Sequence, residues 1–261
     1  MEEIQKITPY QDINNVLAAY VAGAEGILGD NLVGIYLSGS LAYGDFVQQR
    51  SDVDLQVVVN EPLMGKCLDA IERLHQDLMK EHPVWGDRIE CSYVPMAIMA
   101  EVLPPKMPRP WWGFDALYPA APAGNEWIIN HYFLREYGIA LVGPDIREII
   151  PPVDIAEVRK ASARDLFKEW VPKLDDREWL SSSHYQSYLV LNLCRILATV
   201  IGGNPGSKKT AADWTKGEYP RWKELIEEAE AWGYEKEFDR IDETIEFINF
   251  TVQKVKESEI L

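Results

Sequence analysis

The chain has 261 residues, 47% of them hydrophobic and 26% charged, a composition typical of globular proteins that excludes disordered and fibrous classes. It carries 26 Lys and Arg residues against 42 Asp and Glu residues, which gives a net charge of −16. Because nucleic-acid binders need basic surfaces to contact phosphates, this acidity argues against nucleic acid as the main partner.

The first part of the chain alternates between helix and strand patterns. Apolar residues recur with helical spacing over residues 11–28 and 64–80, which predicts two amphipathic helices. Short apolar or alternating runs at residues 33–37, 53–59 and 88–94 predict three strands.

A proline-rich segment follows these elements. Residues 103–122 contain six prolines, which disfavour a regular helix or sheet, so we predict a long ordered loop. Its aromatic residues, among them Trp111 and Trp112, are too apolar for a free linker, and ordered loops of this length are often functional. A further helix is predicted over residues 125–138.

Beyond residues 151–152 the pattern is almost entirely helical. A glycine-rich turn at residues 202–206 ends one helix, and Ser207 is placed to cap the next. The predicted helices cover residues 154–173, 183–201, 208–216, 219–232 and 235–258. We therefore predict an α+β fold, with a mixed sheet and its helices in a domain at residues 1–150 and a helical domain at residues 151–261.

The clearest chemical signal lies between the first two predicted strands. The first strand leads into Gly39 and Ser40, where a glycine lets the backbone approach a bulky anion and a helix N-terminus favours phosphate. Asp52 and Asp54 open the second strand two residues apart, so both side chains leave the same face. Adjacent carboxylates repel each other unless a cation lies between them, and oxygen ligands of this kind suit Mg²⁺.

Glu90 supplies a third carboxylate on the third predicted strand. If that strand lies beside the second, Glu90 comes close to Asp52 and Asp54. There it can complete a metal site or accept a proton from an attacking hydroxyl group. Each feature alone occurs often by chance, but their combination predicts a nucleotidyl-transfer site.

The Gly39-Ser40 pair followed by Asp52 and Asp54 resembles the signature of the polymerase-beta-type nucleotidyltransferase superfamily. Segments of the second half resemble the streptomycin/spectinomycin adenylyltransferases, which narrows the resemblance to an aminoglycoside adenylyltransferase-like protein. These segments are residues 138–144, 193–196 and 207–214. The resemblance implies an N-terminal nucleotidyltransferase domain and a C-terminal helical domain, with substrates bound in the cleft between the two.

The resemblance also implies roles for the motif residues of the first half. Ser40, with Gly39 beside it, would contact the phosphates of ATP. Asp52 and Asp54 would hold Mg²⁺, and Glu90 would act as the catalytic base for the hydroxyl group of the acceptor.

Four further residues receive roles through the resemblance. Lys208 would bind the triphosphate, Arg195 would be a second phosphate contact, and Tyr234 would line the nucleotide site. Trp112, or else Trp111, would contact the acceptor. The alternatives are a surface lysine, an arginine paired with a carboxylate, a core tyrosine and tryptophans that only pack the loop.

One segment departs from the family pattern. Before the helix segment Leu189–Leu197, the drug-modifying enzymes carry acidic residues that meet the cationic substrate, whereas residues 181–188 here contain no acid. This difference leaves the nucleotide chemistry intact and disfavours recognition of streptomycin.

The expected activity is Mg²⁺-dependent transfer of AMP from ATP to a hydroxyl group of a small cationic acceptor, such as spectinomycin or streptomycin. The alternatives are adenylylation of a non-antibiotic small molecule or of a protein hydroxyl, and a nucleotide-binding module without turnover. We expect a monomer or weak dimer with no membrane partner. Because the three cysteines fit no disulfide pattern and no secretory signal is evident, a cytoplasmic location is expected.

Overall fold

The computed structural model describes residues 6–261. The chain divides into two compact units, which we describe separately. The first unit comprises the chain up to Phe46 together with Ser51–Pro152, and the second comprises Val47–Arg50 and Val153–Leu261. The short segment Val47–Arg50 is tied to the second unit in part by Arg50, whose Nη1 donates to Ala229 O at 3.0 Å.

The first unit is built on a sheet to which the described residues contribute six strands in the order β5-β4-β3-β2-β1-β6. The strands are β1 Leu32–Leu37, β2 Val53–Val59, β3 Ile89–Pro95, β4 Arg109–Gly113, β5 Ala116–Ala121 and β6 Ile139–Val142. The β2–β3 pair is parallel and the other neighbours are antiparallel. The predicted α+β class with a mixed sheet is confirmed.

Helices cover one face of this sheet, which we call the core face. The helices of this unit are α1 Gln11–Leu28, α2 Gly39–Tyr43, α3 Lys66–Glu81, α4 Met96–Met99 and α5 Glu126–Tyr137. The apolar stripes of α1 and α3 pack on Leu55, Val57 and Cys91, which point to the core face because side chains alternate along a strand. The opposite face carries Asp54 and Glu90, and we call it the carboxylate face.

The proline-rich segment contains a β-hairpin, so the prediction of an irregular loop over residues 103–122 was wrong. Strands β4 and β5 form this hairpin, and β4 also pairs with β3. Pro119 lies in the edge strand β5, where one side of the backbone needs no ladder hydrogen bond. The number of prolines alone is therefore a poor indicator that a segment contains no strand.

The second unit is helical. Its helices are α6 Ile155–Asp165, α7 Arg177–Leu180, α8 Ser183–Val200, α9 Lys208–Glu218, α10 Lys223–Ala231 and α11 Ile241–Glu257. Helix α8 is buried along most of its length and packs against α6, α9, α10 and α11. Within the described residues, no helix is both long and apolar enough to cross a membrane.

The largest differences from the predicted helix boundaries lie in two helices of this unit, and one predicted cap is observed. The helix predicted over 154–173 ends at Asp165 and continues as the π-helical turn Leu166–Trp170 and the 3-10 turn Val171–Asp175. The last helix begins at Ile241, six residues later than predicted. Ser207 caps α9 as predicted, since its Oγ accepts a hydrogen bond from Thr210 N at 3.1 Å.

Candidate active site

The strand register places the two central carboxylates side by side. Asp54 on β2 and Glu90 on β3 are direct partners in the parallel ladder, so the predicted adjacency is observed. Ser38, just after β1, donates its N–H to Asp54 O at 2.9 Å and lies on the other flank. We call this line of residues across the sheet the carboxylate row. Its two acids are half-buried, so they face an accessible surface.

A tight turn holds the Gly39-Ser40 pair against Asp54. Gly39 has a positive φ of 60°, and a Cβ at this position would overlap the Asp54 carboxylate. Glycine is therefore required twice, by the backbone conformation and by the contact. Ser40 lies in the short helix α2 that begins at Gly39. The turn thus keeps the Gly39-Ser40 backbone within contact distance of a carboxylate.

Asp52 precedes the sheet rather than lying in it. Strand β2 begins at Val53, so the alternation of a strand does not fix the direction of the Asp52 side chain. Among residues 6–261, no group of three or more His, Cys, Asp or Glu side chains is assembled to hold a metal ion. A magnesium site here would combine one or two carboxylates with oxygen atoms of a bound nucleotide, the usual pattern for Mg²⁺ in nucleotide sites.

Trp112, predicted to contact the acceptor, is instead a core residue. It pairs with Cys91, points to the core face and is 1% exposed. Its indole stacks on the His75 ring with centroids 4.5 Å apart and planes 7° apart. His75 is hydrogen-bonded to Tyr93, and burial lowers the pKa of His75 to about 3. The neutral His75 ring therefore covers the face of Trp112 that a substrate would need to reach.

Trp111 is the tryptophan on the carboxylate face. It pairs with Ser92, which lies two residues from Glu90 on β3 and therefore points to the same side. The Trp111 indole lies over Gly113, where a Cβ would overlap the ring. The Trp111 ring therefore lies on the face of the sheet that carries the carboxylate row.

The turn of the β4–β5 hairpin extends this aromatic surface. Phe114 and Asp115 both have positive φ, 51° and 57°, a conformation that costs about 1–2 kcal/mol for a residue with a Cβ. Phe114 is 75% exposed and its ring meets the Trp111 ring edge-on with centroids 5.6 Å apart, and the centroids of the Tyr118 and Trp111 rings are 5.3 Å apart. Positive φ at both central residues is the geometry that a two-residue hairpin loop requires, and here it places the Phe114 ring at the surface beside Trp111.

In the second unit, two of the predicted residues are joined by an aromatic cluster. The Lys208 ammonium lies 4.2 Å from the centroid of the Tyr188 ring. Tyr188 contacts His184, and His184 contacts Tyr234, which is 52% exposed. Arg195, half-buried on α8, is seven residues from Tyr188 and therefore lies on the same helix face.

His184 is also a member of this cluster, although no sequence pattern gives it a role. Its ring is stacked between Tyr185 and Trp232, with interplanar angles of 22° and 10°. Burial lowers the pKa of His184, and the nearby Lys208 charge lowers it further. The contact with Trp232 joins segments 48 residues apart, so no local sequence pattern indicated it.

Comparisons with known proteins agree with this architecture. Residues 148–258 match the family model of the aminoglycoside adenylyltransferase C-terminal domain. The chain is 27% identical over 264 residues to an aminoglycoside (3'') (9) adenylyltransferase from Rhizobium radiobacter, covering 95% of this chain and 94% of that protein. The chain is thus similar to the aminoglycoside adenylyltransferases over nearly its whole length. The resemblance indicated by the sequence motifs is therefore confirmed.

Two further relatives support this assignment. A spectinomycin 9-adenylyltransferase from Staphylococcus aureus is 27% identical over 236 residues, covering 82% of each chain. The crystal structure of a spectinomycin adenyltransferase from Enterococcus faecialis, solved with ATP and spectinomycin, superposes with a TM-score of 0.67 at 20% identity. That match covers 92% of this chain and 98% of the other, so the fold extends over nearly all of this adenylyltransferase-like chain.

Proposed function

We propose that this chain transfers the adenylyl group of ATP to a hydroxyl group of a small cationic acceptor, an aminocyclitol or aminoglycoside antibiotic such as spectinomycin. The observation that carries the proposal is the register pairing of Asp54 with Glu90 beside the Gly39-Ser40 turn. The names of the relatives, which are adenylyltransferases acting on such compounds, support the same reaction.

Asp52 and Asp54 are proposed to hold Mg²⁺, and Glu90 would complete that site or act next to it. These hard oxygen donors suit Mg²⁺, which in nucleotide sites takes one or two carboxylates and further oxygen atoms from phosphates. When bound, the ion neutralises charge on the phosphate oxygens. Ser40, in the short helix that begins at Gly39, would donate to a phosphate oxygen.

Glu90 is the proposed general base. Its carboxylate accepts the proton of the acceptor hydroxyl, and the acceptor oxygen then forms a bond to the α-phosphorus of ATP. The bond from the α-phosphorus to the bridging oxygen breaks, and pyrophosphate leaves with the bonding electrons. The product is an adenylylated acceptor, and the proton remains on Glu90 until solvent removes it.

The second unit is proposed to complete nucleotide binding. Lys208 and Arg195 would contact the triphosphate, and Tyr234 would line the nucleotide site. On this proposal residues 1–150 form the nucleotidyltransferase domain and residues 151–261 the helical nucleotide- and substrate-binding domain. Trp111 takes the acceptor-contacting role first given to Trp112, because Trp111 shares the face of Glu90.

Spectinomycin is the first acceptor to test. Residues 181–188 contain no acidic residue, which disfavours streptomycin, while the net charge of −16 still favours a cationic molecule. Expression of the wild-type chain in a susceptible bacterium should raise the inhibitory concentration of spectinomycin, and expression of Asp52→Ala should not. An unchanged inhibitory concentration for both spectinomycin and streptomycin would overturn the antibiotic acceptor.

A further inference from the structure

A second line of residues crosses the carboxylate face next to the carboxylate row. Gln56 on β2 pairs with Ser92 on β3, and Ser92 pairs with Trp111 on β4. We call Gln56, Ser92 and Trp111 the neutral row. Gln56 and Ser92 are two residues further along their strands than Asp54 and Glu90, and like them are half-buried. The neutral row therefore continues the surface on which the reaction is proposed to occur.

The Gln56 amide is held in one orientation. Its Nε2 donates to Ser92 O at 3.1 Å and, less closely, to Val57 O at 3.4 Å. Since the amide nitrogen faces these two carbonyl groups, the amide oxygen faces away from them. Gln56 thus offers an oriented hydrogen-bond acceptor, and the Ser92 hydroxyl beside it offers both a donor and an acceptor.

The spacing of the two rows sets the size of a molecule that bridges them. Two residues along a strand span about 6.6 Å, which is comparable with the width of one six-membered ring and its substituents. A ring lying against Trp111 with one hydroxyl at Glu90 would present its opposite substituent to Gln56 and Ser92. Because neither side chain carries charge, that substituent is matched best when it is an uncharged hydroxyl or carbonyl group.

We propose that Gln56 and Ser92 are specificity-determining residues that hydrogen-bond an uncharged oxygen substituent of the acceptor, across the ring from the hydroxyl that is adenylylated. This inference rests on the proposed function and deepens it by specifying the acceptor class. The acceptor is a polyhydroxylated or oxo-substituted ring, and its ammonium groups lie away from the neutral row.

The test is a steady-state kinetic comparison with spectinomycin as the probe, ATP and Mg²⁺. Gln56→Met removes the amide at similar length, Ser92→Ala removes the hydroxyl, and Ser92→Thr keeps it. Gln253→Met is the matched control, because Gln253 is an exposed glutamine whose amide nitrogen donates to Glu257 on the same helix. The Michaelis constants for spectinomycin and for ATP are measured separately, together with kcat.

We expect Gln56→Met and Ser92→Ala to raise KM for spectinomycin by about fivefold to tenfold each, the effect of one lost hydrogen bond. KM for ATP should stay within about twofold of the wild-type value, and Ser92→Thr and Gln253→Met should behave as wild type. An unchanged spectinomycin KM, or a parallel rise in KM for ATP, would overturn the inference and leave the proposed function standing. If the wild-type chain does not turn over spectinomycin at all, the proposed acceptor and this inference fall together.

Discussion

On the core face of β3 and β4, Cys91 and Trp112 are almost fully buried, whereas on the carboxylate face their chain neighbours Glu90, Ser92 and Trp111 remain partly exposed. Both faces combine aromatic rings with polar groups. On the core face the polar groups bond one another, as in the contact of Tyr20 Oη with Tyr93 Oη at 2.9 Å. Exposure and the presence of internal partners, not residue type, separate the core residue Trp112 from Trp111, the tryptophan proposed to contact the acceptor.

The largest expected effect comes from the carboxylate face. Replacing Asp54 by Asn removes a carboxylate without changing side-chain size, so the chain should fold while kcat for adenylyl transfer falls by about 10³-fold or more. Pyrophosphate release measured under saturating ATP and spectinomycin gives kcat, and urea unfolding reports the fold. Retention of more than a tenth of the wild-type rate would show that Asp54 is not part of the reacting site.

The two neighbouring tryptophans should give opposite results. Trp112→Ala empties a packed site in the core and should lower the unfolding free energy by about 3–5 kcal/mol. Trp111→Ala should cost much less stability and should raise KM for the acceptor instead. Urea denaturation and steady-state kinetics on both variants check this pair. A stable Trp112→Ala protein with impaired acceptor binding would reverse the assignment.

The core face should also give the protein a pH-dependent stability. The pKa of His75 is lowered to about 3 by burial, below its value of about 6.5 in an unfolded chain. As the pH falls, His75 is therefore protonated in the unfolded state before it is protonated in the folded state. The free energy of unfolding decreases as the pH falls from about 6.5 towards 3.

Between pH 7 and pH 5 this histidine should remove about 2 kcal/mol of unfolding free energy, from about 1.4 kcal/mol for each pH unit below 6.5. Urea unfolding at the two pH values measures the change, and His75→Gln should reduce it by that amount. His131 is also buried, with its pKa lowered to about 4, and it accounts for pH dependence of the unfolding free energy that remains in the His75→Gln variant. Identical pH dependence in wild type and variant would contradict the account of His75.

The central strands and the carboxylate pairing could be predicted from the sequence because their signals are local. Strand β2 was predicted with its observed bounds, and the alternation of apolar residues around Glu90 indicated its face correctly. Family and reaction class followed from the order of short motifs. Helix α8 was also predicted closely, since an apolar helix ended by a glycine-rich turn carries its own boundary signal.

The assignment of Trp112 failed because a strand was missed. Without β4 there was no alternation to decide which tryptophan faces Glu90, and the prolines hid the strand. Strand β6 was also missed, although residues 139–142 form an apolar run, because this run is only four residues long and follows directly on a helix. The contact of His184 with Trp232 depends on tertiary packing alone. Predicting which face a side chain takes, and which distant residues it contacts, thus requires the strand register and the tertiary packing, and no local sequence pattern gives either.

The most direct measurement follows the phosphates of ATP. The wild-type chain is incubated with spectinomycin, Mg²⁺ and ATP labelled either at the α-phosphate or at the γ-phosphate, with Asp52→Ala as the control. The account predicts α-label on the drug and γ-label in free pyrophosphate, with neither in the control. Label from the γ-phosphate on the drug, or no label on spectinomycin or streptomycin from either position, would contradict adenylyl transfer to these acceptors.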